Sequence, residues 1–541
     1  MSDEFDMPEM DFFVTPHKGW TVELVEEALD QALAASPCVA TRAAFGKSHE
    51  GRAIELVEIG SGPIRVCAWS QMHGDEQTFT AVCLNLLRLL ASQPQREVMA
   101  EILAGCRLSL IPMLNPDGAA RQSRFNALGI DLNRDARRLA SSESQLLHRL
   151  ISERKPTFAF NLHNQSHRRW MPDGERCVSM ALLVPPATPG NESTPSTIAA
   201  ERVASHIIGA VDSVCESRVT RYGADYMPRA FGEWVQSTGA STVLLEAGGW
   251  PGDDVAALEH CCLQALIAGL HAIATDSYGD IPCDAYRQLP RCHEEESFDQ
   301  LIVDAIAYGK DDEEYRRIDL GINRPNLSIR HPQPGGGVIA DIGDLADHPR
   351  TSVLDAEGLL CLPGRTACLP AEELLGERRQ EAIDKLLLAG VTTVLVIMDA
   401  SPDDLAEKID AIIDDERPDL DIGLVARFPE LTKAERIAIE SVPEEVLAVF
   451  PQSLPVPDVL EMPRTLIDWM TKTDAWVELV VGLKSCTTLK RGDVANLVLL
   501  PPPTSDQSPP EDLRYVLVGG TVVADGGEIV QRGAGRWLTR R

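Results

Sequence analysis

At 541 residues the chain is too long for one ordinary core, so two or three domains are expected. An apolar content of 44% can build such cores, while a formal net charge of -32 sets the surface against nucleic acid and anionic membranes. No basic start precedes an apolar run, no stretch approaches the ~18 uninterrupted apolar residues of a membrane helix, and 13 scattered cysteines without a CxxC pair read as reduced thiols, so the cytoplasm is the default expectation.

Residues 21–36 have helical periodicity, and a strand pair is expected over 53–59 and 64–70. A helix over 78–90, a strand over 108–112, a polar loop and a helix over 143–153 follow. Residues 158–162 form a short apolar strand. Helices over 196–211 and 229–237 bracket a strand at 218–222. The stretch STVLLE (241–246) reads as a buried strand, and 255–274 as a long closing helix. Strands alternating with helices predict an α/β fold with a three-layer, mainly parallel mixed sheet, whose functional residues stand at the C-terminal ends of strands. The expected division is residues 1–275 as the catalytic domain, 276–335 as a polar connection, and 336–541 as a smaller α/β or β-rich domain. In the last region, 378–398 reads as a helix–strand unit, 402–416 as an acidic helix, 501–512 as a linker, and 515–530 as a hairpin or meander.

His73-Gly74-Asp75-Glu76 falls between a strand and a helix. A His and a carboxylate three residues apart can turn toward one point, and zinc accepts both donor types. The bland alternative is a polar helix cap. His163, at the end of the strand FAFNLHNQ, is the candidate third ligand, with His167 as the alternative. Glu246 ends a buried strand and precedes Ala-Gly-Gly-Trp. A carboxylate there is costly without a task or a partner, and beside zinc it can deprotonate a metal-bound water. The loop NPDGAARQSRFNALGIDLNRDA offers Arg124, Asn133 and Arg134, a donor set suited to a substrate carboxylate or, equally, to solvent.

Together these segments resemble the zinc metallocarboxypeptidases, the carboxypeptidase A-like enzymes. The likeness begins at GKSHEGRAIELVEIG, runs through HGDE, NPDG, RFNALGIDLNR and NLH to LLEAGG in the family's order, and covers about residues 15 to 275. It is nearest to a bacterial subgroup with HGDE and PRAFGEW segments. The resemblance, not the spacing, implies one Zn2+ per chain on His73, Glu76 and His163. It implies Arg124 for polarising the scissile carbonyl, Asn133 and Arg134 for holding the substrate's terminal carboxylate, and Glu246 as general base. The digestive enzymes' arginine between the first two ligands is missing, and their mobile tyrosine has no clear counterpart. Tyr226 is a possible stand-in, and Arg229 in MPRAFGEW is another donor. The implied substrate is a peptide with a free C-terminal carboxylate. The alternatives are a zinc amidase or deacylase of N-acyl amino acids or cell-wall peptides, and a non-catalytic carboxylate-binding module.

Residues 336–541 carry a fainter likeness to amidohydrolases, in VLDAEGLLCLPGRT and LKRGDVANLVLLPP. The His-x-His expected after the Pro-Gly is absent, with Arg365-Thr366-Ala367 in its place, and the region is too short for a full barrel. No second active site is expected there. Cys361, Cys368 and Cys486 match no common zinc module.

Overall fold

The computed structural model describes residues 12–297, apart from 17–18, 35–39, 213, 224, 252–253 and 294. Beyond 297 it describes separate stretches, chiefly 298–309, 314–323, 337–345, 353–356, 360–363, 365–370, 379–388, 391–399, 421–428, 446–451, 496–500, 514–518, 521–525, 528–531 and 537–538. Two compact units divide the chain, the first running to Ser297 and the second beginning at Phe298.

In the first unit the helix α1 (Val22–Leu33) starts where the Thr21 side chain accepts from the Leu24 N–H. Strands β1 (Ala40–Lys47), β2 (Ala53–Ile59) and β3 (Ile64–Ser70) lead to α2 (Thr78–Ser92), α3 (Glu97–Gly105) and β4 (Cys106–Ile111). The short helix α4 (Pro116–Ala120), α5 (Ser142–Arg154), β5 (Phe158–Asn164) and β6 (Met180–Leu183) follow. The unit closes with α6 (Pro195–Val211), β7 (Val219–Arg221), α7 (Phe231–Ser237), β8 (Ser241–Ala247) and α8 (Val255–Thr275). The sheet has eight strands in the order β1-β2-β4-β3-β5-β8-β6-β7. Strand β3 is parallel to both β4 and β5, β5 is parallel to β8, and β1·β2, β2·β4 and β6·β8 are antiparallel. This is the mixed α/β sheet expected. One detail is corrected: 53–59 and 64–70 are strands but not partners, because β4 inserts between them and pairs with both.

Side chains alternate across the pleat, so each strand feeds two cores. On one face Val66, Ala68, Phe158, Phe160, Leu162 and Val243 pack under α1, α2, α3, α6 and α8. On the other, Cys67, Trp69, Ala159 and Ile111 pack under α5 and α7. Helix α8 is long and apolar enough to cross a membrane by length and composition, and most of it is buried inside this unit as core. Cys215 and Cys261 form a disulfide, so the reduced-thiol reading does not hold for that pair. The segment with polar runs after residue 275 is not only a connection. It holds β9 (Gln300–Gly309) and β10 (Glu314–Asn323), paired antiparallel, because apolar side chains such as Ile302 and Leu320 recur within it as core.

Among the described residues of the second unit these two strands join a nine-stranded sheet with Val338–Gly343, Val353–Asp355, Leu360–Pro363, Leu497–Leu500, Tyr515–Val518, Thr521–Asp525 and Glu528–Ile529. The last three strands are the expected meander. A five-stranded sheet is built on Arg365–Pro370, Val391–Asp399, Asp421–Phe428 and Val446–Pro451, all parallel, with Trp537–Leu538 beside Asp421–Phe428. The helix Arg379–Leu388 precedes Val391–Asp399, as the helix–strand reading expected. The expected acidic helix over 402–416, the linker over 501–512 and Cys486 lie outside the described residues.

Candidate metal and catalytic site

Sheet register brings the site together. Strands β3, β5 and β8 run parallel, so their C-terminal ends open onto one edge, where loops need not satisfy a further strand. His163 on β5 stands directly opposite Glu246 on β8. Both are thereby fixed by two buried strands, without any loop conformation being required.

The loop after β3 delivers the other two donors. Gln71 adopts a positive φ of 51°, which turns the chain sharply out of the strand. Its buried side chain then donates to the Gly74 carbonyl at 2.8 Å and accepts from Thr80 Oγ1 at 2.6 Å, locking the turn. Gly74 lies so close to Gly118 that an added Cβ would stand 2.0 Å from the Gly118 carbonyl carbon. Asn115 caps α4 by accepting from the Gly118 N–H and donates to the Met72 carbonyl. The HGDE and NPDG motifs are therefore two halves of one packed turn.

The result is a cluster in which one donor atom each from His73, Glu76 and His163 lies within 4.8 Å of the others. His73 Nδ1 is 2.6 Å from Glu76 Oε1, and His163 Nδ1 is 2.7 Å from Glu76 Oε2. All three residues are buried. Two imidazoles and one carboxylate converging in this way form the donor set of an open zinc site, so these residues fit zinc. His163 and not His167 takes the third position.

Behind the ligands stands a residue that the sequence reading passed over. Asp131 Oδ1 lies 3.1 Å from His73 Nε2, and its Oδ2 accepts from Arg124 Nε at 3.1 Å. One carboxylate thus orients a ligand and a cation together. Arg124 Nη1 reaches to 3.4 Å from Glu76 Oε1 and 3.3 Å from His73 Nδ1. Asp131 is held by its own turn: its Oδ1 accepts from the Asn133 N–H, and the preceding loop is shaped by Asn126, which accepts from the Leu128 and Ile130 N–H groups. The signal was available in GIDLNRDA, where a carboxylate precedes the Asn-Arg pair by two residues.

Electrostatics follow from burial and these contacts. Burial works against charge on His73, but Glu76 and Asp131 outweigh it and raise its pKa to about 9. Burial dominates at His163 and lowers its pKa. Burial also opposes charge on Glu76 and Asp131, yet their histidine and arginine neighbours hold both carboxyls well below the usual range. Glu246 is pushed the other way, by burial first and the Glu76 charge second. Its Oε2 is buried with no hydrogen-bond partner.

The remaining candidates divide. Asn133 Nδ2 sits 3.5 Å from His163 Nε2, while its Oδ1 accepts from the Phe231 N–H. Arg134 Nη1 donates to the Asn133 carbonyl at 2.7 Å. Among the described residues Tyr226 and Arg229 make no side-chain hydrogen bond to the cluster. Arg229 is exposed, and its carbonyl receives the Ala136 N–H. Tyr222, four residues before Tyr226, is instead the tyrosine whose pKa is raised by burial and then by the Glu246 charge.

Asp131→Asn should keep the fold but weaken zinc binding by roughly 10–100-fold, the usual effect of losing the hydrogen-bond partner of a metal ligand. Competition against a chelator measures this, and unchanged affinity would leave Asp131 without that role.

Comparison with known proteins bears on the same residues. Residues 25–174 match the family model described as zinc carboxypeptidase. Carboxypeptidase SOL1 of Arabidopsis thaliana is 32% identical over 98 residues, which is 17% of this chain and 20% of that protein, so the chain spans about a fifth of its curated relative. A metallo-carboxypeptidase from Burkholderia cenocepacia aligns with 19% identity over 48% of this chain and 70% of its own, with a TM-score of 0.38. A metallo-carboxypeptidase from Pseudomonas aeruginosa, solved in complex with (2-guanidinoethylmercapto)succinic acid, aligns with 20% identity over 48% and 70%, with a TM-score of 0.39. Over residues 25–174, which include His73, Glu76, Asp131 and His163 and stop before Glu246, the chain matches the zinc carboxypeptidase family, as its motifs led us to expect.

Proposed function

We propose that the first unit is a zinc-dependent carboxypeptidase, holding one zinc per chain and hydrolysing the C-terminal amide bond of a peptide or peptide-like substrate with a free carboxylate. The observation that carries this reading is the half-buried Glu246, whose Oε2 is buried without a hydrogen-bond partner, opposite His163 and beside a three-donor cluster. A bound zinc would act there as a Lewis acid, polarising the scissile carbonyl and lowering the pKa of water. Glu246 takes a proton from the attacking water and returns it to the leaving amine. Its raised affinity for protons suits a base that must later act as an acid. Arg124, whose Nη1 faces the cluster, stabilises negative charge on the carbonyl oxygen. Asn133 and Arg134 hold the terminal carboxylate.

The test is a pair of blocked dipeptides, one with a free C-terminal carboxylate and one amidated, assayed with zinc. Wild type should cleave the free acid and lose most activity on the amide. Equal cleavage of both would end the exopeptidase reading, and faster release from an N-acyl amino acid would move it to a deacylase. Arg134→Ala should raise KM for the free acid by roughly 10- to 100-fold, because a charge-assisted contact to carboxylate is worth about 1.5–3 kcal/mol. The same change should add little to the loss already caused by amidation.

A further inference from the structure

Strand β5 carries a second polar side chain on the face of His163. Asn161 lies two residues earlier, hence one repeat down the same face. It is 0% exposed, and neither its Oδ1 nor its Nδ2 has a hydrogen-bond partner. In register beside it stand Trp69 on β3, whose buried Nε1–H is likewise without a partner, and the apolar Leu244 on β8. An amide left dry on such a face is costly, so two idle atoms on one side chain point to an external partner that both donates and accepts.

The neighbouring helix indicates which part of a substrate that partner is. Gly232, at the start of α7, comes so near that an added Cβ would lie 3.7 Å from Asn161 Nδ2. The adjacent Phe231 N–H is held by Asn133 Oδ1. Asn161 therefore stands on the side of Asn133, the side proposed to hold the terminal carboxylate.

We infer that Asn161 reads the side chain of the residue being released, and that this site favours C-terminal residues ending in an uncharged amide or hydroxyl. The inference rests on the carboxypeptidase reading. An uncharged group is favoured because neither Trp69 nor Leu244 carries a charge to offset a charged end's loss of water, while the Trp69 Nε1–H can donate to a neutral oxygen. A site built to bond an amide or hydroxyl also discriminates strongly against an analogue that lacks it, since its own polar atoms are then unpaired.

The experiment measures kcat/KM of the zinc-loaded full chain on N-blocked dipeptides ending in Asn, Gln, Thr, Val, Leu, Lys and Glu. Asn and Leu are close in shape, as are Thr and Val. We expect wild type to favour Asn over Leu and Thr over Val by at least about 10-fold. Asn161→Leu should abolish or reverse both preferences, with its melting temperature confirming that it is folded. The wild-type panel decides by itself if that variant does not fold. Equal rates on Asn and Leu peptides would overturn the inference and leave Asn161 with a buried water only. A preference for Lys, which Glu233 one residue beyond Gly232 would attract, would also overturn it, as would a preference that survives in Asn161→Leu. Amidated forms of the same dipeptides separate the two levels. Indifference to amidation ends the carboxypeptidase reading, and the inference with it. Sensitivity to amidation without side-chain preference ends the inference alone.

Discussion

Glu246→Gln should lower kcat by about 10^2- to 10^4-fold, the usual contribution of a positioned general base, while substrate affinity changes little. The side chain keeps its size and place, opposite His163 at the end of β8, and only its capacity to accept a proton is lost. In wild type, burial and the Glu76 charge both favour the protonated form of Glu246, so its carboxylate binds a proton more strongly than an exposed one. A neutral amide at this half-buried position removes no stabilising ion pair, so the melting temperature should hold. Steady-state kinetics and direct binding of a substrate to the variant separate the two effects. Turnover within a few-fold of wild type would show that Glu246 is not the base, and a parallel loss of binding would make it a structural residue.

The second large effect is expected at His163. Its Nδ1 lies 2.7 Å from Glu76 Oε2, and the residue is buried in the central strand β5. His163→Ala removes one of three protein donors and leaves Glu76 without a neighbour that helps hold it ionised. Removing the hydrogen-bond partner of a metal ligand already costs roughly 10–100-fold in affinity, so losing the ligand itself should cost more. The purified variant should hold little zinc and show no hydrolysis on any peptide that wild type cleaves. Elemental analysis measures the first and the dipeptide assay the second. Zinc at the wild-type level would falsify this ligand assignment, and His167 would then be substituted.

Much of the first unit is legible in the sequence. Strands 53–59 and 64–70 and the helix beginning at Thr78 appear where apolar periodicity put them. Local pattern suffices there because each element has a buried face of its own. The same reasoning failed for β1, α3 and β6, where Ala40–Lys47 is half-exposed, Glu97–Gly105 is short and Met180–Leu183 has only four residues, too few for a period to register. It also passed over Ile302 and Leu320, because the polar runs around them dominate the composition.

Which residues can do the chemistry is written in the chain: the donor types at His73, Glu76, His163 and Glu246, the cations at Arg124 and Arg134, and the order of the motifs. Those are properties of side chains and of their order in the chain. Which of them meet depends on the folded sheet. His163 and Glu246 are 83 residues apart in the chain and adjacent in space because two parallel strands share one register. The same holds for Asp131, whose carboxylate gains a task only when β3 and the loop after α4 come within hydrogen-bond reach. It holds for Asn161, which in the sequence is one more polar residue in an apolar strand. Burial between Trp69 and Leu244 leaves its amide without partners, and burial is set by elements far away in the chain.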